Sequence, residues 1–129
     1  MLPFTVALRS GDPVYEQVLY AVRRAVVTGQ LRAGDAFPSV RELSLALKIN
    51  PNTAHRIVAL LIEEGLLGVR PGLGTVVSDP VPAGAAARRG VLEQDAERLV
   101  VDARRKGVGL AELLAAIRRH WSRTVHKGG

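Results

Sequence analysis

"PSVRELSLALKINPNTAHRIVALLIEEG", residues 38–65, contains two short helical patterns separated by only a few residues. Ser39 and Glu42 have the S-x-x-E spacing of a capping box, which predicts that a helix begins there. Asn50 is suited to cap a second helix, in which Pro51 takes the first position, where a missing N–H costs nothing. The interruption is therefore a helix cap, and it holds the two helices at a set angle.

Apolar residues recur along both helices at spacings of three and four. The second helix should end near Glu64, with Gly65 available for a left-handed cap. At about 100° per residue, its opposite face presents a short polar arc. The first helix is expected to bury Val40, Leu43, Ala46 and Leu47, the second is expected to bury Ala54, Ile57, Val58 and Leu61, and the polar arc consists of Asn52, His55, Arg56 and Ala59.

A further helix and a hairpin are predicted on either side of this pair. Asp12-Pro13 is expected to provide the N-cap and first residue of a helix that ends at Gly29, with Val14, Val18, Leu19, Val22 and Val26 as its apolar stripe. Apolar and β-branched runs at 66–70 and 75–78, separated by Pro71-Gly72-Leu73-Gly74, predict a small hairpin. This order is that of a winged helix-turn-helix, although a generic helix pair has the same periodicity.

Residues 79–84, with the sequence DPVPAG, predict a hinge between residues 1–79 and residues 80–129. A helix is predicted from about Ala86 to Lys106, with Leu92, Ala96, Leu99, Val100 and Ala103 on one stripe. Another follows residues 107–109. The fold class is thus mainly α with a small β wing, in which a winged helix-turn-helix domain precedes a helical hairpin.

The last predicted helix has an apolar stripe that two isolated helices cannot hide from water. Burial against a second chain is the natural result, and a hairpin folded back on the first domain is the alternative. The predicted dimer interface consists of Leu92, Leu99, Leu110, Leu113, Leu114, Ile117 and Trp121.

The chain has 129 residues, a net charge of +6 and no cysteine. Eight Lys/Arg and seven Asp/Glu give residues 1–79 a net charge of +1, whereas ten and five give residues 80–129 a net charge of +5. A basic excess favours a polyanion as partner, although a solvated surface has the same total. The sequence has no membrane-spanning run and no secretory signal, so we expect a soluble cytoplasmic protein.

Enzyme chemistry has no recognisable set of residues in this sequence. The segment at residues 71–74 lacks the lysine and the hydroxyl residue of a phosphate-binding loop. His55, His120 and His126 do not form an i, i+4 pair with a nearby carboxylate, so no metal site is expected. We therefore predict no catalytic residue, no metal and no cofactor.

The sequence contains, in order, "PVYEQV", the run from Gly29 to Leu67 and "GLGTVV". Over residues 8–78, these motifs closely resemble the DNA-binding domain of GntR-type bacterial regulators. The short region after them resembles the YtrA-like branch, which lacks the usual large effector-binding domain. The resemblance implies a dimeric transcription factor, usually a repressor, that binds an inverted repeat. Ala36-Phe37-Pro38 and His55 depart from many relatives, which leaves the base preference open.

The polar residues of the helix pair and hairpin are suited to contact DNA. Asn52 is suited to pair with adenine, and His55 and Arg56 are suited to approach guanine. The N-terminus of the first helix of the pair offers N–H groups to a phosphate, and glycine at the hairpin tip allows close approach to a sugar-phosphate strand. The predicted DNA-binding residues are Ser39, Arg41, Asn52, Thr53, His55, Arg56, Arg70 and Gly72.

Each of these residues also has a purely structural interpretation. Arg41 could pair with Glu42 or Asp35 at the surface, and Asn52 and Thr53 could serve only as caps on a solvated face. Pro71-Gly72 could be only a turn. Two other functions also stay open, an architectural protein that binds DNA without reading it and a winged helix that binds protein. The sequence identifies no effector.

Overall fold

The computed structural model describes residues 2–124, which divide into two compact units, residues 2–80 and 81–124. The first unit contains three helices and a two-stranded antiparallel sheet, as a mainly α fold with a small β wing requires. Its elements are α1 (Val14–Val27), α2 (Val40–Leu47), α3 (Pro51–Glu63), β1 (Leu67–Arg70) and β2 (Gly74–Val77). The DNA-binding role of residues 1–79 and the dimerisation role of residues 80–129 stay predictions.

Helix α1 begins one residue later than the sequence predicts. Pro13 occupies the N-cap position with ψ 126°, and no side chain caps the helix, so the prediction that Asp12 is the cap is wrong. The Asp12 carboxylate instead lies 3.4 Å from the Arg9 guanidinium. The predicted stripe packs inward as expected, with Val18 and Val22 fully buried.

The predicted capping box of helix α2 is confirmed. The Ser39 Oγ accepts from the Glu42 N–H, and a Glu42 carboxylate oxygen accepts from the Ser39 N–H, each at 3.1 Å. The buried face differs from prediction at two positions, because Ala46 is exposed and Ser44 is buried. The Ser44 hydroxyl donates to the Arg41 carbonyl at 3.0 Å, and this hydrogen bond satisfies the buried polar group.

Helix α3 is capped as predicted and forms the centre of the first unit. The Asn50 Oδ1 accepts from the Asn52 N–H at 2.7 Å, and Gly65 follows the helix with φ +82°. All four predicted core residues of the helix are buried, and Ile57 and Leu61 are fully inaccessible. Helix α3 packs on α1, α2 and β1. Its orientation is therefore fixed from three sides.

Strands β1 and β2 form the predicted hairpin, in which Leu67 pairs with Val77 and Arg70 pairs with Gly74. The segment before α2 adds to its edge, because the Phe37 N–H donates to the Thr75 carbonyl at 2.9 Å. The Phe37 ring also stacks on Phe4, with centroids 5.7 Å apart. The hairpin and the N-terminal segment are therefore joined to the helical core.

The second unit contains α4 (Ala85–Arg89), a π-helical segment (Gly90–Asp95), α5 (Ala96–Arg105) and α6 (Leu110–Thr124). Residues 85–105 are helical, in agreement with the helix predicted from about Ala86 to Lys106. Residues 90–95, however, form a π-helix and not an α-helix. The π-helical segment begins at glycine, a weak α-helix former. Its wider turn changes the angular register, so Leu92 does not continue the stripe of α5 at α-helical spacing.

Helix α6 follows a tight turn in which Gly107 has φ +78° and the Val108 N–H donates to the Ala103 carbonyl at 2.8 Å. Ala103 is the buried residue of α5. Within residues 110–124, no residue of α6 is buried. An amphipathic helix of this length gains most of its stability from burial of its apolar face, and in one chain α6 lacks that burial.

Candidate nucleic-acid interface

The predicted polar arc of α3 lies on its solvent side. Asn52, His55, Arg56 and Ala59 are all exposed, whereas the residues on the opposite side of the helix form the core. Thr53 lies at the edge of the arc and is half-buried. The core therefore holds the helix so that one continuous polar surface faces outward.

The cap of α3 leaves Asn52 free for other contacts. Asn50 performs the capping, and Asn52 contributes only its backbone N–H to that interaction. Among residues 2–124, no hydrogen bond holds the Asn52 side-chain amide. The interpretation of Asn52 as a cap is therefore wrong, and its amide has the donor and acceptor needed to pair with an adenine edge.

The N-terminus of α2 carries Arg41 on an exposed position next to the capping box. Both proposed acidic partners of Arg41 are engaged elsewhere. The Asp35 carboxylate accepts from the Arg32 N–H at 2.9 Å, and the Glu42 carboxylate accepts from Ser39. None of the ion pairs within residues 2–124 includes Arg41. Its guanidinium is available to a phosphate or a base edge.

The same capping box affects how Ser39 would meet DNA. The Glu42 carboxylate accepts a hydrogen bond from the Ser39 backbone N–H and a weaker one from the Ser39 side chain. These hydrogen bonds hold the pKa of Glu42 below its ordinary value. Glu42 therefore carries its negative charge beside the helix N-terminus. A phosphate at this end would have to approach on the side away from that carboxylate, toward Arg41.

The tip of the hairpin, Arg70 to Gly74, is exposed throughout. The Leu73 N–H donates to the Arg70 carbonyl at 3.0 Å, and Gly72 and Gly74 have φ +79° and +82°. Only glycine adopts this backbone conformation easily, and it leaves the backbone uncovered at the tip. Leu73 is 68% exposed there, a feature that our sequence analysis did not predict.

Arg56 has a partner that our sequence analysis missed. Its guanidinium carbon lies over the ring of Tyr15, 4.7 Å from the centroid. Tyr15 is in the first turn of α1 and is half-buried against the core. The signal in the sequence was an aromatic residue beside the valine stripe of α1, where a polar residue is usual.

The residues of the predicted dimer interface lie at the surface of the second unit. Leu110 and Trp121 are 71% and 74% exposed, and Leu113 is half-buried. The other four, Leu92, Leu99, Leu114 and Ile117, are between 39% and 69% exposed. Exposed apolar side chains of this number on one short unit are unusual for a monomer.

Neither a metal centre nor a membrane span is found in the part of the chain that the structure describes. No group of His, Asp and Glu within residues 2–124 is placed to hold a metal ion. No helix in that range has both the length and the apolar content that crossing a bilayer requires. His126 lies outside the described residues.

Comparison with known proteins identifies the family to which this fold and surface belong. Residues 14–77, from the start of α1 to the end of β2, match the profile of bacterial regulatory proteins, gntR family. Over 106 residues, the chain is 31% identical to the HTH-type transcriptional repressor YtrA of Bacillus subtilis, and the match covers 81% of this chain and 82% of YtrA. This chain belongs to the gntR family. The predicted identity as a DNA-binding transcriptional regulator is thereby confirmed.

Solved structures of GntR-family proteins have the same fold. A GntR family transcriptional regulator from Listeria monocytogenes superposes with a TM-score of 0.64 at 25% identity, over 87% of this chain and 98% of that one. YtrA from Sulfolobus acidocaldarius superposes with a TM-score of 0.52 at 26% identity, over 92% and 96%. Both matches extend well beyond the winged helix-turn-helix domain. They support the predicted resemblance to the short YtrA-like branch of the family.

Proposed function

We propose that this GntR-family regulator is a repressor that binds an inverted-repeat operator as a homodimer. The observation that carries the proposal is the exposed polar arc of α3, with the N-terminus of α2 and the hairpin in the same compact unit. A helix presented in this way fits the major groove, and the hairpin contacts the adjacent backbone. The relatives named as repressors, such as YtrA, support the direction of regulation.

Base reading is assigned to Asn52, His55 and Arg56. The amide of Asn52 matches the N6 and N7 pattern of adenine, and Arg56 matches the O6 and N7 pattern of guanine. Phosphate and sugar contacts are assigned to Ser39, Arg41, Thr53, Arg70 and the backbone at Gly72. Contacts of this second kind fix the position of the protein on the duplex but carry little sequence information.

Dimerisation is assigned to the second unit. Helix α6 presents exposed apolar residues along one face and has no buried residue of its own. Beside it, a pocket with a volume of about 450 Å³ is lined mainly by apolar residues of α5, the turn and the start of α6. A second copy that covers these surfaces would give both helices the burial that they lack. A symmetric dimer of this kind presents two copies of α3 to two half-sites.

Binding measurements on Arg56→Ala test the base-reading assignment. Loss of a guanine contact should lower the ratio of operator affinity to random-DNA affinity by about 1–3 kcal/mol at constant salt. Arg24→Ala is the matched control, because Arg24 is exposed on α1 about 180° around the helix from Tyr15. An equal loss for both kinds of DNA in Arg56→Ala would show that Arg56 contacts only the backbone.

The same titration separates the alternative functions. An architectural protein would bind random and inverted-repeat duplexes alike, with a large salt dependence. A protein-interaction module would bind neither. The proposed function requires wild-type protein to prefer the inverted repeat by roughly 10³-fold or more at physiological salt.

A further inference from the structure

We propose that Tyr15 of α1 is a specificity-determining residue, which holds the Arg56 guanidinium in position to read a base. The inference rests on the proposed function of α3, and it assigns a role to a residue that lies outside the polar arc. The contact that carries it is the Arg56 guanidinium, 4.7 Å from the centre of the Tyr15 ring. Tyr15 is thus a positioning residue that acts through Arg56.

Contact with an aromatic ring leaves donors of arginine usable. A guanidinium has five N–H donors, and those that point away from the ring stay free to donate hydrogen bonds. Arg56 is exposed, so its N–H groups remain accessible from the solvent side. An arginine held in this way loses fewer rotamers when it binds a guanine edge, because its conformation is restricted before the DNA arrives.

The position of the ring is itself well determined. Gln17, two residues after Tyr15, fastens the start of α1 to the preceding segment. Its side-chain carbonyl accepts from the Arg9 N–H at 2.8 Å, and its amide donates to the carbonyls of Arg9 and Asp12 at 2.9 and 3.0 Å. Tyr15 also packs against the hydrophobic core. The ring is therefore a fixed platform for a long side chain.

A second contact holds α1 and α3 in register. The Arg23 guanidinium donates to both carboxylate oxygens of Glu64, and the Nε to Oε1 distance is 3.0 Å. Arg23 follows Tyr15 by eight residues (15 to 23), and Glu64 follows Arg56 by eight residues (56 to 64). The two contacts therefore tie α1 to α3 at two points along both helices. Rotation of α3 about its axis, which would carry Arg56 off the ring, is opposed at both points.

The first test compares two substitutions of the ring. Tyr15→Leu keeps apolar bulk but removes the aromatic face, whereas Tyr15→Phe keeps the face and is the matched control. Tyr15→Leu should lower the operator-to-random affinity ratio about two- to fivefold, the range for an exposed cation–π contact, with random-DNA affinity unchanged. Tyr15→Phe should retain the wild-type ratio. A wild-type ratio in Tyr15→Leu would overturn the proposal.

The second test shows whether Tyr15 acts through Arg56. In an Arg56→Ala background, Tyr15→Leu should cause no further loss of the ratio, because the positioned group is absent. Sequencing of bound fragments should show that both single variants relax the preference at the same base pair of each half-site. A loss that persists in the Arg56→Ala background would assign to Tyr15 a structural role only.

The third test does not depend on substitution of Tyr15, so it holds even if Tyr15→Leu fails to fold. In wild-type protein, the ring current of Tyr15 should shift the NMR signals of the Arg56 side-chain protons, and the shift should persist in the operator complex. If the shift disappeared when operator was added, Arg56 would leave the ring to reach DNA, and the proposal would be wrong. Failure of the proposed function would be seen separately, as a wild-type protein without preference for any inverted repeat.

Discussion

Two aspartates on helix α6 should separate the two chains of the dimer while leaving each chain folded. Leu110→Asp and Leu114→Asp are suitable because both side chains are exposed in the single chain, at 71% and 39%, and neither belongs to the buried core. They are one turn apart on the apolar face. The new carboxylates also lie in the N-terminal half of α6, where negative charge favours the helix.

The expected magnitude follows from those exposed fractions. Full burial of a leucine side chain contributes about 1.5–3 kcal/mol. The exposed fractions of Leu110 and Leu114 together amount to about one leucine per chain, so two chains would lose about 3–6 kcal/mol of association free energy. The dissociation constant of the dimer should therefore rise by at least about 100-fold, before any cost of burying the carboxylates.

Sedimentation at a series of concentrations measures this change directly. Ala111→Asp with Ala115→Asp is the matched control, because it adds the same charges at the same spacing one position along the helix, on exposed residues beside the apolar face. The Leu110/Leu114 variant should be a monomer with an unchanged first unit, and it should bind half-sites weakly. A variant that remained dimeric and kept full operator affinity would place the interface elsewhere.

Three further variants test single parts of the structure. Arg70→Ala should weaken operator and random DNA in parallel and reduce the salt slope by about one ion, whereas an unchanged slope would remove Arg70 from the phosphate contacts. Ile57→Ala should cost about 2–5 kcal/mol of unfolding free energy in urea, because Ile57 is fully buried, and a loss below about 1 kcal/mol would contradict that core position. Because the pKa of Glu42 is lowered in the folded state, its stabilisation is present above the unfolded pKa and is lost as pH falls through the folded pKa. The Tm difference between wild type and Glu42→Gln should thus shrink in acid. A difference independent of pH would contradict the lowered pKa of Glu42 in the folded state.

Local signals in the sequence predict much of the first unit. Ser39 with Glu42, and Asn50 with Pro51, lie within a few residues of the backbone groups that they cap, so their spacing alone predicts both helix starts. The same local reasoning did not predict which polar residue is buried. Ser44 was not part of the predicted buried face of α2, yet its hydroxyl donates a hydrogen bond within its own helix and the residue is buried.

Contacts between distant residues were not predictable from one sequence. Tyr15 and Arg56 are 41 positions apart, and neither the spacing nor the residue types indicate that they meet. The stack of Phe4 on Phe37 was missed for the same reason. The π-helical segment was missed because its residues have the composition of an ordinary helix apart from Gly90. The arc of α3, by contrast, was predicted in full, because it follows from the helical period once the core face is known.

Sequencing of genomic and random DNA fragments bound by the purified wild-type chain tests the central claim most directly. The proposed function predicts one enriched inverted repeat, with half-site centres about 10 base pairs or a small multiple apart. It also predicts an adenine and a guanine among the strongly preferred bases of each half-site, as Asn52 and Arg56 require. Fragments with no enriched motif, or with a single asymmetric one, would contradict the account of a dimer that reads an operator through helix α3.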